Sequence, residues 1–285
     1  MSLNEIINML SEAGIADASS EACILASHFT GKSAALLLCD RSSPLQAASD
    51  ALEALADAVR RRITREPLQY IIGRWDFMGL PFEVSPDCLI PRSDTELLCE
   101  TAIKSLPKNG RFLDLCTGSG CIAAAVAHYR PDARVSALEK YPQTIKMAKK
   151  NCEAILGGRN NVRFIEADVT SHLSAFGNFG GERFDFIAAN PPYVSYCEMK
   201  ELEPELSSEP RHALTDEEDG LSFIREIINI YPVFLEDGGF LAVEHGSAQG
   251  EAVRRLFSEA GHMSKTLRDL NGHERVTLMQ NCEYH

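Results

Sequence analysis

The residues best suited to chemistry are Asn190-Pro191-Pro192-Tyr193, which follow the apolar run Phe184-Asp185-Phe186-Ile187-Ala188-Ala189. Two prolines fix φ and remove two backbone donors, so the Asn190 carboxamide and the Pro191 carbonyl become a rigid pair of acceptors. A planar NH2 group has two N–H donors, and gripping both would aim its nitrogen along one line of attack on an electrophile. Where no strong base is at hand, such orientation is the largest effect available. Tyr193 adds an aromatic face for stacking on a flat group. An isolated Asn-Pro pair is usually only a strand-ending turn, so the reading depends on what lies upstream.

Upstream, the strand-like Arg111-Phe112-Leu113-Asp114-Leu115 runs into Cys116-Thr117-Gly118-Ser119-Gly120-Cys121 and then a helical stretch. Glycines at a strand-to-helix turn permit positive φ and let a ligand rest on bare amides at the helix start. Glu139 falls 19 residues beyond Gly120, at the end of the next strand, where a carboxylate can accept hydrogen bonds from ribose hydroxyls. Asp168, followed by Val169, ends the third strand within reach of an adenine edge. The dinucleotide pattern is incomplete, because position 123 is Ala and the loop has no basic residue for a pyrophosphate. An adenosine cofactor without phosphates fits better than NAD, namely S-adenosylmethionine, with S-adenosylhomocysteine as product. Its sulfonium is a cation, which suits an acid-rich pocket with Asp114 nearby.

Residues 3–63 place apolar side chains at helical spacing, with breaks at Gly14, Gly31 and Ser43-Pro44 and with Ser43 positioned to cap the next helix. Residues 1–66 are therefore expected to form a small helical domain. A β-hairpin linker is expected over 67–90, with Met78-Gly79-Leu80-Pro81 as its turn. From 91 to 285 strands at 111–115, 133–139, 162–167, 183–189, 239–244 and 275–280 alternate with helices at 119–129, 142–155, 220–231 and 249–260. That alternation predicts an α/β, doubly wound and mostly parallel sheet with its ligand crevice at the carboxyl ends of the strands.

Composition removes other classes. Of 285 residues, 45% are hydrophobic and 24% charged, which matches a globular protein, and no apolar run approaches membrane-spanning length. A formal charge of −13 without a basic patch argues against stable nucleic-acid binding by this chain alone. The nine cysteines include no CxxC pair and the eight histidines no HExxH arrangement, so no metal site is expected. The scattered thiols and the lack of an export signal at the N-terminus make the cytoplasm the expected compartment. The acidic stretch 198–219 reads as a solvated loop, and His245 as a packing residue at a strand end.

The Asn190–Tyr193 corner resembles the [N/D]PP[Y/F/W] signature of class I S-adenosylmethionine methyltransferases that act on planar nitrogens. Pro67–Gly73, Phe77-Met78-Gly79, Leu89–Glu96, Glu209–Leu214, Asp219-Gly220-Leu221 and Asp269–Val276 are similar, in order, to the PrmC/HemK family of protein-(glutamine-N5) methyltransferases. The resemblance implies methylation of the side-chain amide of the glutamine in the Gly-Gly-Gln loop of class I peptide chain release factors. It implies that Thr117, Gly118, Ser119, Gly120 and Cys121 line the cofactor, that Glu139 holds the ribose, and that Asn190, Pro191, Pro192 and Tyr193 hold the glutamine. Alternatives in the same chemistry are a ribosomal-protein glutamine and, further off, a DNA or RNA base amino group.

Overall fold

The computed structural model describes residues 1–281; Cys282 lies outside them. The chain divides into two compact units, one of residues 1–74 with 203–208 and one of 75–202 with 209–281.

The first unit holds helices α1 (Leu3–Glu12), α2 (Ala18–Thr30), α3 (Ala34–Cys39), α4 (Ser49–Ile63) and α5 (Leu68–Ile72). Ser2 and Glu5 form a reciprocal capping box at α1, and Gly31 ends α2 in the left-handed conformation at φ 69°. Ser43 caps nothing: Ser33 caps α3, and α4 starts behind Ala48 with no side-chain cap. Leu3, Ile6, Leu10, Leu25, Leu55 and Val59 form a fully buried core.

One cation is buried in this unit. Arg62 is 4% exposed. It bonds Glu21 through Nε and Nη2, and its Nη2 also meets Glu205 at 2.8 Å. Arg65 reaches the second oxygen of Glu205 at 2.9 Å. The acidic stretch is thus not simply solvated, because its Glu205 is the counter-ion of two arginines about 140 positions earlier. Removing one member of a buried charge network leaves the others uncompensated. Arg62→Ala is expected to lower the unfolding free energy by about 3 kcal/mol, as measured by denaturant titration; a loss within experimental error would show that the network does not hold this unit together.

The hairpin strands are β1 (Arg74–Phe77) and β2 (Leu80–Glu83). Its turn is two residues rather than four: Met78 (φ 52°) and Gly79 (φ 71°) both take left-handed geometry, the arrangement that matches strand twist. Glu96 accepts from the Met78 amide at 2.7 Å and Tyr129 donates to its carbonyl at 2.7 Å, which holds a non-glycine residue there. Phe77, Leu80 and Phe82 lie in the core of the second unit, so the hairpin is packed structure and not a free linker.

The rest of the second unit runs α6 (Glu96–Ser105), β3 (Arg111–Leu115), α7 (Cys121–Tyr129), β4 (Arg134–Glu139), α8 (Pro142–Leu156), β5 (Arg163–Glu166), α9 (His172–Phe179), β6 (Phe184–Ala189), α10 (Ser222–Ile230), β7 (Leu235–Glu244), α11 (Gly250–Glu259), β8 (Ser264–Arg268) and β9 (Glu274–Gln280). Among the described residues the main sheet has seven strands in the order β5-β4-β3-β6-β7-β9-β8. Neighbours from β5 to β7 are parallel, while β9 is antiparallel to both β7 and β8. Alternate residues of each strand supply two cores. Phe112, Phe186 and Phe240 stack across one face with ring centroids 6.0 Å apart, and Leu113, Ile187 and Leu241 serve the other. The strand order reverses between the neighbours β3 and β6, which opens a crevice at their carboxyl ends.

Candidate active site

Three left-handed residues shape the loop after β3: Cys116 (φ 58°), Gly118 (φ 56°) and Gly120 (φ 79°). Cys116 takes that conformation at a cost of about 1–2 kcal/mol. The loop is tied down from below. The Thr117 hydroxyl and the Ala123 amide donate to Asp114 Oδ2, the latter at 3.2 Å, and the Thr117 amide donates to the Leu138 carbonyl at 3.0 Å. Asp114 is 0% exposed and its Oδ1 has no hydrogen-bond partner. Burial pushes its carboxyl up to about 7, against the pull of those two donors.

Glu139 ends β4 with its carboxylate locked by backbone amides. Oε2 accepts from Gly118 at 3.1 Å, and Oε1 accepts from Lys140 at 2.8 Å and Tyr141 at 3.1 Å. Beyond β5, Asp168 pairs with Lys140 at 2.9 Å and takes the amide and hydroxyl of Thr170. Burial opposes the Asp168 charge, but the ammonium and the Thr170 donors outweigh it and hold the carboxyl below its usual range.

A cavity joins these strand ends. Thr117, Gly118, Ser119, Cys121, Glu139, Asp168, Val169, Asn190 and Pro192 line it. Gly120, Pro191 and Tyr193 do not. Gly120 was expected at the cofactor, but a Cβ there would stand 3.0 Å from the Ala148 Cβ and 3.2 Å from its carbonyl. Its missing Cβ permits the close approach of α7 to α8. Tyr193 was expected to offer a stacking face; its ring packs against the core and its hydroxyl turns to Glu244 Oε1 at 3.4 Å.

Asn190 stands at the end of β6, half-buried, and its Nδ2 donates to Thr95 Oγ1 at 3.0 Å. Among the described residues neither Asn190 Oδ1 nor the Pro191 carbonyl is engaged by a protein donor. Two acceptors are thus left uncommitted at this corner.

A family model for the PrmC N-terminal domain matches residues 2–73, and one for the methyltransferase small domain matches residues 93–243. A release factor glutamine methyltransferase of Salmonella typhimurium is 39% identical over 277 residues, covering 96% of this chain and 96% of that one. Its counterpart in Geobacter sulfurreducens is 40% identical over 269 residues, covering 94% of this chain and 91% of that one. The chain belongs to the release factor glutamine methyltransferase family. Among solved structures, a methyltransferase from Pyrococcus furiosus has the same fold, with a TM-score of 0.52 over 82% of this chain and all of that one at 15% identity.

Several residues of this family member reach the cavity without having stood out in the sequence as chemistry. Thr95 lines it from the turn ahead of α6, and Arg92 lies just before it. Arg92 pairs with Glu209, whose carboxylate also accepts from the Ile90 amide at 3.0 Å. Tyr141 and His212 stack with ring centroids 3.8 Å apart at the same wall. Only the resemblance pointed to the stretches 89–96 and 209–214; no local pattern reveals that they meet. His245 is 0% exposed and bonded to Thr277 Oγ1 and the Gly246 carbonyl, each at 2.9 Å, away from the cavity. Among the described residues no group of three or more His, Cys, Asp or Glu is placed to hold a metal, eight cysteines are free thiols, and no helix is long and apolar enough to cross a membrane.

Proposed function

We infer that this chain transfers the methyl group of S-adenosylmethionine to the side-chain amide nitrogen of the glutamine in the Gly-Gly-Gln loop of class I release factors. The observation that carries the reading is the Asn190 carboxamide, turned by its bond to Thr95 so that Oδ1 stays uncommitted beside the cavity that Glu139 and Asp168 line.

The cavity wall suits that cofactor. Its cations, Arg92 and Lys140, are both paired to acids, so no free positive charge awaits a phosphate. Glu139 keeps lone pairs on Oε2 for ribose hydroxyls while backbone amides fix its orientation. Ile90, Pro91, Leu138 and Val169 supply apolar surface for an adenine, with Asp168 at its edge. When bound, the cofactor supplies an electrophilic methyl on a cationic sulfur.

The chain's own contribution is geometric. An amide nitrogen is a poor nucleophile because its lone pair is delocalised into the carbonyl. Asn190 Oδ1 and the Pro191 carbonyl accept its two N–H bonds and favour pyramidalisation toward the methyl. No base is required before transfer, since the nitrogen becomes strongly acidic once methylated. A nucleic-acid base has the same NH2 geometry, but a formal charge of −13 disfavours that substrate.

The test is incubation of the protein with S-adenosylmethionine and a purified class I release factor, followed by peptide mass spectrometry. One added methyl on the Gly-Gly-Gln glutamine is expected, and its absence under saturating cofactor would reject the reading.

A further inference from the structure

The block Asp269–Val276, one of those that carry the family resemblance, has no part in the reaction as described above. It meets the site through one side chain, that of Arg275. This residue stands near the start of β9, and because β9 runs antiparallel to β7 that start lies at the crevice edge. There the His245 amide, just past the end of β7, donates to the Arg275 carbonyl at 2.9 Å. The guanidinium bonds two carboxylates: Nε donates to Asp269 Oδ2 at 3.1 Å, and Nη2 pairs with Asp94 Oδ2 at 2.8 Å. Asp269 is itself fixed, since its Oδ1 accepts from the amides of Asn271 and His273, each at 2.9 Å. Arg275 therefore reaches Asp94 from a rigid base.

Asp94 is the middle residue of the short turn Ser93–Thr95, and Thr95 is the residue whose hydroxyl accepts from Asn190 Nδ2 at 3.0 Å. The Thr95 amide closes this 3₁₀ turn on the Arg92 carbonyl at 3.2 Å, and so short a turn is a weak support on its own. Side chains at alternate positions supply the stiffness. Arg92 pairs with Glu209, Asp94 with Arg275, and Glu96 with the Met78 amide, so three different partners hold the turn. The Asp94 anchor is the one directly beside Thr95. Any drift of the turn moves Thr95 Oγ1, and with it the angle at which Asn190 Oδ1 meets an incoming NH2.

We propose that Arg275, through its ion pair with Asp94, is a positioning residue for methyl transfer: it holds the 93–95 turn so that Thr95 keeps the Asn190 carboxamide aimed at the glutamine amide. This rests on the reading of Asn190 as the residue that grips that amide. The planar guanidinium suits the task, because it serves two carboxylates from two nitrogens in a fixed geometry. Neither Arg275 nor Asp94 lines the cavity, so the pair can be altered without removing a wall of the cofactor site.

The experiment measures kcat and KM for a class I release factor with wild type, Asp94→Ala, Arg275→Met and Thr95→Val, and with Asp94→Ala added to each of the other two. S-adenosylhomocysteine affinity is followed by calorimetry. Asp94→Ala removes the acceptor that Arg275 uses and leaves the Arg275–Asp269 bond and the backbone bond of the turn in place. Its kcat should fall about 10- to 100-fold, with KM and S-adenosylhomocysteine affinity within about twofold. Arg275→Met should lower kcat at least as far, and Asp94→Ala should then add less than about twofold. In the Thr95→Val background, where the bond to Asn190 is already gone, Asp94→Ala should likewise cost less than about twofold more. An Asp94→Ala enzyme with wild-type kcat would overturn the proposal while leaving the reaction in place. So would an undiminished Asp94→Ala loss on top of either other substitution, or S-adenosylhomocysteine binding lost in step with kcat, which would show a merely structural role. Wild-type protein that leaves the glutamine unmodified would overturn the reaction and the proposal together.

Discussion

Asn190→Ala is expected to abolish methyl transfer, by about a thousandfold or more, while S-adenosylmethionine still binds. The alanine keeps the backbone turn that Pro191 and Pro192 impose, and it removes a side chain that is only half-buried, so little stability should be lost. What disappears is an acceptor fixed in place by Thr95 at 3.0 Å, with the cavity wall formed by Glu139 and Asp168 left intact. A pre-oriented acceptor acts mainly on the transition state, because the amide N–H bonds strengthen as the nitrogen becomes positive. The loss should therefore fall on kcat. Calorimetry with the cofactor and a discontinuous methylation assay separate the two quantities, and turnover near the wild-type rate would remove Asn190 from the mechanism.

Gly220→Ala should damage both folding and turnover although residue 220 touches no reacting group. Gly220 is buried at φ 79°, and a Cβ there would press on the Tyr193 carbonyl, stand 2.8 Å from Gln249 Nε2 and 3.1 Å from the Ser195 amide. The obstacle is backbone, which no rotamer change relieves. Left-handed strain together with overpacking makes a loss of about 3 kcal/mol the expected result. Gln249 Nε2 donates to that same Tyr193 carbonyl at 2.9 Å, so the displaced segment also loses the bond that anchors the corner from outside. Thermal melts and kcat should decline together. Wild-type values for both would mean that residues 193–195 yield freely, and that the corner is not rigid.

The parts of this arrangement visible in the sequence are those where covalent restriction is local. Pro191 and Pro192 limit their own φ, Gly118 marks a left-handed turn, and Glu139 follows at a spacing set by one helix and one strand. The alternation of strands and helices revealed the sheet for a related reason, since each strand carries its own apolar pattern. Short or polar elements escaped. The sequence pattern does not mark α6, α9 or β8: α9 contains Gly177, and β8 is the polar edge sequence Ser264-Lys265-Thr266-Leu267-Arg268. Pairings across the chain were equally hidden. Glu244 lies 51 positions from Tyr193, and Glu209 lies 119 from Ile90, so neither carboxylate's partner can be deduced from its neighbours. Gly120 shows a third limit, because a glycine needed for helix packing looks the same in a sequence as one that faces a ligand.

The two units are not consecutive stretches of the chain. The polypeptide changes unit after residues 74, 202 and 208. A fragment stopped at residue 74 would retain Glu21 but lose Glu205, stranding the Arg62 and Arg65 guanidiniums that share it. Neither unit can be released whole by a single cut, and any chimera built between relatives has to carry both stretches of the smaller one together.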